Sequence, residues 1–186
     1  MLLVAITILA YNLVPPTIVN GQINQDELKD FYYNLYGLIS SFMVISVFWI
    51  FSMNFFDYLK APSEPITLVS ITFFVLILLT PITTVAELQY RTWQAVTVLA
   101  LLQIVNSLLL ISLWRYLEIS KDLQSKELDK YVMKKIYTRL SVIPLLYIIS
   151  IALSFVSFTY LFAVIFPVTM IPSLIFVAKV FNFKEN

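Results

Sequence analysis

The polar residues set among the apolar stretches of this 186-residue chain are hydroxyls and amides: Thr7, Asn12, Asn34, Asn54, Ser70, Thr72, Gln103, Asn106 and Ser107. Such groups hydrogen-bond across packed helices or back to a carbonyl one turn away. Gln103 and Asn106, spaced to share one helix face, read as links between helices. The chain has no histidine and no cysteine, which removes imidazole and thiolate metal sites, disulfides, and His- or Cys-based catalysis. Asp26, Glu27 and Asp30 lie in a polar loop, where they suit solvation or capping of the next helix better than acid–base chemistry. Away from their edges the apolar stretches hold no Asp, Glu, Lys or Arg, so a proton relay or a charged-substrate site has nothing to use. The only glycines are Gly21 and Gly37, too few for a GxxxG helix contact, a phosphate loop or a glycine-rich carbonyl filter. No enzyme activity, no metal site and no organic cofactor is expected.

The elements that must position these groups follow from composition. Hydrophobic residues make up 60% of the chain and charged residues 12%, against about 25% charged in a soluble domain. That balance predicts an all-α integral membrane protein with the lipid bilayer as its main partner. A net charge of +1 gives no reason to expect nucleic acid. The uncharged stretches mark spans at about 1–19, 31–56, 65–86 and 92–114. The last stretch, 140–178, would be about 58 Å long as one helix, nearly twice the hydrocarbon core, and divides into spans near 140–157 and 160–180. Ser157, Phe158, Thr159 and Tyr160 form the expected hairpin. Six transmembrane helices in one domain, 1–186, account for the chain, with no internal repeat. In the first span the part before Pro15 and Pro16 rises only about 21 Å as a helix, less than the core it would cross. No Lys or Arg precedes Lys29, so a cleaved secretory signal is not expected. Pro81, Pro144, Pro167 and Pro172 mark helix kinks.

Orientation follows from the bases. With both termini cytoplasmic, the inner side collects Lys60, Arg115, Lys121, Lys126, Lys130, Lys134, Lys135, Arg139, Lys179 and Lys184, leaving Lys29 and Arg91 outside. Tyr32, Tyr33, Tyr36, Tyr90 and Trp93 then fall at outer edges and Tyr58, Trp114 and Tyr116 at inner ones, as interfacial anchors. The polar segment 116–138 spaces its apolar residues as helical continuations of the flanking spans would.

Several motifs carry a resemblance. SSFMVISVFWIFSMNFFDYL at 40–59, ITLVSITFFVLILLTPITT at 66–84 and LLLISLWRYLE at 108–118 occur in this order, preceded by AIT at 5–7 and followed by RLSVIPLLYIISIALSFVS at 139–157. Their best anchors are Trp49 before Phe56 and Asp57, Pro81, and the Leu-Trp-Arg-Tyr run ending at Tyr116. The chain resembles the transmembrane protein 175 family, potassium channels of endolysosomal membranes and their prokaryotic relatives. The resemblance implies a single-repeat potassium channel that assembles as a homotetramer in a cell membrane. It further implies that the first helix lines the pore, with a hydrophobic constriction at Val4 and Ile8, a hydroxyl layer at Thr7, and Tyr11 where another aliphatic layer would stand.

By helical spacing, Val4, Thr7, Ile8 and Tyr11 share one face, although in so apolar a helix the same face would serve ordinary packing equally well. Trp49, Ser52 and Ser70 are the expected supporting positions. Phe51-Ser52 replaces the family's Asn-His, and Ser70 its asparagine. The family's Arg-x-x-x-Phe-Ser-Asp motif, expected just upstream of Met1, is absent from the sequence. The alternative expectation is a non-conducting membrane scaffold or accessory subunit that keeps the fold.

Overall fold

The computed structural model describes residues 13–19 and 22–156. Residues 13–17 form a loop that enters a small antiparallel hairpin, β1 (Ile18–Val19) and β2 (Gln22–Ile23), with Ile18 opposite Ile23. Four helices follow: α1 (Gln25–Tyr58), α2 (Glu64–Tyr90), α3 (Trp93–Ile119) and α4 (Lys130–Ser154). All four are long and apolar enough to cross a membrane. They overlap the stretches expected as spans at 31–56, 65–86, 92–114 and 140–157, with α4 beginning ten residues earlier than expected and ending at Ser154. The described part of the stretch expected at 1–19, residues 13–19, is loop and strand rather than helix. The hairpin expected at 157–160 and the span at 160–180 lie outside the described residues.

The helices overrun the uncharged stretches because polar residues cap them. Asn24 caps α1, its side chain accepting from the Asp26 N–H at 3.2 Å, and Asp26 and Glu27 in the first turn complement the helix dipole. The helix therefore starts at Gln25, ahead of the apolar run. Asp129 caps α4 in the same way, through the Tyr131 N–H at 3.1 Å. The helical continuations expected across 116–138 are realised as far as Ile119 and again from Lys130. Between them a 3-10 turn, Lys121–Leu123, and an extended strand-like stretch cross to the α1–α2 connection. There the Lys60 N–H donates to the Leu123 carbonyl at 2.8 Å, the Ser125 N–H to the Tyr58 carbonyl at 2.8 Å, and the Ser125 hydroxyl to the Asp57 carbonyl at 2.9 Å. The two connections at this end of the bundle are thus stitched together through backbone groups.

At the opposite end, α2 turns into α3 through Arg91, whose φ of 49° is left-handed. Its N–H donates to the Glu87 carbonyl at 3.0 Å and closes the last turn. The Thr92 hydroxyl then caps α3 by accepting from the Ala95 N–H. The Arg91 guanidinium lies 4.1 Å from the centre of the Tyr33 ring, a cation–π contact that ties this corner to α1.

The buried faces repeat every three and four residues. On α2 they run Ile66, Ser70, Phe73, Ile77, Thr80, Thr84 and Glu87, and on α3 Val96, Ala100, Gln103, Ser107, Leu110, Trp114 and Leu117. This is the spacing of left-handed, knobs-into-holes helix packing. Trp114 sits at the centre, edge-on to Phe55 at 5.5 Å and to Tyr58 at 5.9 Å, while Phe48 meets Phe73 at 5.9 Å. Gly37 of α1 packs directly against the Leu88 side chain, where a Cβ has no room. That contact brings α1 and α2 close together.

Candidate functional site

Every residue expected to line a pore, Val4, Thr7, Ile8 and Tyr11, lies outside the described residues, as does Asn12. The chain is described from Leu13, and the residues that receive it there are defined. Pro15 and Pro16 precede Thr17, whose N–H and hydroxyl both donate to Oε2 of Glu27, each at 2.7 Å. Oε1 of the same carboxylate accepts from Nδ2 of Asn24 at 3.1 Å. The Asn24 N–H donates in turn to the Thr17 carbonyl at 3.1 Å.

Glu27 lies ahead of the apolar part of α1. The Thr17 N–H above all, and then the Thr17 hydroxyl, hold its carboxyl below the ordinary value of 4.5. A carboxylate with a lowered folded-state pKa contributes stability that is fully present above its unfolded value. That contribution is lost as the pH falls through the folded one, so the contact is intact at neutral pH and fails only in acid.

The supporting positions fall on the facing helices α1 and α2. Trp49 is partly exposed on the outer surface of α1. Ser52 and Ser70 are buried, at equal distance along their helices from the Tyr58–Glu64 connection. The Ser52 hydroxyl turns back to the Phe48 carbonyl at 2.8 Å. The Ser70 hydroxyl has no hydrogen-bond partner among the described residues. The two positions are level in the bundle, yet no hydrogen bond joins them.

The amides expected to link helices behave differently from each other. Gln103 does so: its Nε2 donates to the Thr80 hydroxyl at 3.1 Å, joining α3 to α2 in the fully buried interior. Asn106 is equally buried, but neither its Nδ2 nor its Oδ1 has a partner among the described residues. Ser107 and Thr72 bond back to the carbonyls of Gln103 and Leu68 at 2.9 and 3.0 Å, as hydroxyls within apolar helices commonly do.

Glu87 was not anticipated. The uncharged stretch stops at Ala86 because the next residue is an acid, but α2 continues to Tyr90 and folds Glu87 inward, leaving it only 9% exposed. No hydrogen bond or ion pair reaches the carboxylate among the described residues. The signal was present in the sequence: Ser70, Thr80, Thr84 and Glu87 fall on one heptad face, and in a lipid-facing bundle the polar face is the one turned inward. The described residues hold no cluster of three or more potential metal ligands.

Comparison with known proteins agrees with this architecture. The model of the family described as endosomal/lysosomal potassium channel TMEM175 matches residues 2–81. No curated relative matches the chain. Among solved structures, a lysosomal potassium-selective channel TMEM175 homologue from Chamaesiphon minutus is similar at 19% sequence identity and a TM-score of 0.74, over 96% of this chain and 91% of that one. At that identity the likeness speaks for the fold, and the family match speaks for the sequence from the N-terminal segment through Pro81. The chain thus resembles the TMEM175 channels: it matches the model of that potassium-channel family over residues 2–81 and is similar in fold to one homologue over nearly its whole length.

Proposed function

We propose that this protein is a potassium-permeable cation channel whose pore is lined by the first helix of each of several copies, on the family's pattern four, through Val4, Thr7, Ile8 and Tyr11. The observation that carries the reading is the family match over residues 2–81, which takes in those four residues, α1 and the part of α2 up to Pro81. In this reading six helices cross a cell membrane with both termini cytoplasmic, as the lysine and arginine distribution favours. The interior of one copy's described bundle is filled by Phe48, Phe55, Phe73, Trp114 and their neighbours, which supports a conduit formed between copies.

Val4 and Ile8 form a hydrophobic collar that an ion passes only when partly dehydrated or when the collar wets, and the Thr7 hydroxyls offer oxygen ligands beside it. Cations with a low cost of dehydration then pass best. Potassium is the permeant species, and no cofactor takes part.

Potassium and sodium flux into liposomes holding the purified protein tests selectivity, with potassium expected to exceed sodium; equal fluxes refute it. Val4→Asn and Ile8→Asn are expected to change unitary conductance, because a polar collar wets differently. Two variants indistinguishable from wild type would place the pore elsewhere.

One observation favours a second reading, a non-conducting scaffold with the same fold. Ser52 and Ser70 stand where the family carries a longer polar network, and they do not bond to each other. A stable monomer in mild detergent would support that reading, since a shared conduit needs several copies.

A further inference from the structure

The charges of α4 are placed against the electrostatics of their own helix. It holds Lys130, Lys134, Lys135 and Arg139, all in its N-terminal part, and no Asp or Glu. A helix N-terminus carries partial positive charge, so acids are favourable there and bases are not. α1 and α2 follow that rule, with Asp26 and Glu27 in one first turn and Glu64 in the other. The first turn of α4 has no acid, and its Asp129 cap spends its side chain on the Tyr131 N–H at 3.1 Å. Lys130 and Lys134 are also spaced i, i+4, where like charges repel. Both are exposed, and neither side chain has an ion pair among the described residues. A placement that the helix itself disfavours calls for compensation from outside it.

The direction these residues face identifies the compensation. The buried side of α4 is Met133, Leu140, Tyr147 and Ser154, at heptad spacing. The opposite side runs Tyr131, Lys134, Thr138, Val142, Leu145 and Ile149, three and four residues apart and all exposed. From Val142 onward this stripe is apolar and suits lipid tails. Thr138 stands one turn short of it, with its hydroxyl returned to the Lys134 carbonyl at 2.8 Å. Lys134 lies one further turn out, about 6 Å along the axis, and the headgroup layer on each side of the core is about 5–7 Å thick. Its long side chain reaches phosphate from that depth. Tyr131, 70% exposed, follows as an amphipathic ring at the edge of the same layer.

We propose that this end of α4 is a binding site for an anionic phospholipid. The tails lie along Val142, Leu145 and Ile149, and the ammonium groups of Lys134 and Lys130 hold the phosphate beside Tyr131. A lipid meets the charged and the apolar parts of one stripe together and supplies the negative charge that the first turn lacks. Lys121 and Lys126 of the preceding connection differ: Asp122 and Glu127 adjoin them in sequence, and no apolar stripe continues from them. The site needs α4 to cross a bilayer and is independent of whether the protein conducts.

The test is native mass spectrometry of the purified, full-length protein in detergent, titrated with phosphatidylglycerol or with phosphatidylcholine of the same acyl chains. Wild type is expected to bind phosphatidylglycerol more tightly. One lysine near an anionic surface is worth about fivefold in affinity, so Lys130→Gln with Lys134→Gln is expected to weaken phosphatidylglycerol binding about thirtyfold and to leave phosphatidylcholine unchanged. Lys121→Gln with Lys126→Gln removes the same charge and is expected to keep the preference. Without added lipid, the Lys130→Gln, Lys134→Gln protein is expected to melt no lower than wild type, because the two lysines oppose the dipole and each other. Equal binding of the two lipids by wild type overturns the site and leaves the stripe to another occupant, such as a second copy. Equal loss of preference in both lysine pairs overturns it in favour of diffuse attraction to the whole basic end. A lower melting temperature would mean that the lysines stabilise α4 unaided, which removes the need for a lipid.

Discussion

The two halves of the bundle are built from different materials. Toward the Tyr58–Glu64 connection the interior is aromatic and aliphatic: Phe48, Phe51, Phe55, Ile66, Phe73, Leu110, Leu113, Trp114, Leu117, Met133 and Leu140 make one continuous core. Toward the Arg91 turn the interior is small and polar, with Gly37, Ser41, Thr80, Thr84, Glu87, Gln103, Tyr147 and Ser150 buried on the same helices. In lipid, apolar side chains gain little by leaving the tails, so shape and polar pairing hold helices together. The first half relies on shape, through rings set edge to edge. The second relies on close backbone approach at Gly37 and on polar pairing such as Gln103 to Thr80, while the Ser41 hydroxyl has no partner among the described residues. The difference predicts a rigid half and an adjustable one. The first half is also where the α1–α2 and α3–α4 connections are stitched, and the second is where Glu27 receives the chain coming from the proposed pore.

The contrast is broken most severely at Trp114. Trp114→Ala removes the ring against which Phe55 and Tyr58 pack. It should cost about 3 kcal/mol, near the low end for buried aromatics because the ring leaves one apolar environment for another. Trp114→Phe should stay within about 1 kcal/mol, since the indole N–H has no partner among the described residues and its removal leaves nothing unpaired. Thermal unfolding in detergent separates the two. If alanine and phenylalanine cost the same, ring packing is not what holds this half.

Gly37 sharpens the other side. Gly37→Val places two methyls against Leu88, which is itself buried. Forcing α1 and α2 apart should cost about 1–3 kcal/mol, and alanine should cost less than valine. The same melting experiment decides it, and a valine variant as stable as wild type would mean that α1 and α2 need no close approach.

Much of the first half was legible before any coordinates, and most of the second was not. Runs without charge located α1 to α4, because ionic groups are excluded from the hydrocarbon region and loops collect them. The same rule hid Glu87, since it treats any acid as the end of a span, whereas α2 runs on to Tyr90 and turns Glu87 inward. Periodicity was equally mute: where lipid and protein interior are both apolar, leucine and valine do not distinguish the inward face. The residues that do distinguish it are the rare polar and small ones, and reading Ser70, Thr80, Thr84 and Glu87 as one stripe would have oriented α2. Asn24 and Glu27 do form a capping box in sequence spacing, but nothing local tells that the acid prefers Thr17. The Ser52 and Ser70 positions came from family resemblance alone.

The smallest expected effect concerns a hydrogen bond that crosses the adjustable half, Gln103 to Thr80. In water-soluble interiors a buried amide left without its partner is costly, but in a bilayer the separated helices also find other partners, and measured couplings average about 0.6 kcal/mol. A double-mutant cycle of Gln103→Leu and Thr80→Val should return a coupling of about that size. Either single variant should shift the melting temperature less than Gly37→Val does. The neighbouring Asn106 supplies the control. Its amide bonds to nothing among the described residues, so Asn106→Leu should be neutral or stabilising, where Gln103→Leu is mildly destabilising. A coupling near zero together with a destabilising Asn106→Leu would reverse the assignment and make Asn106, not Gln103, the residue that joins these helices.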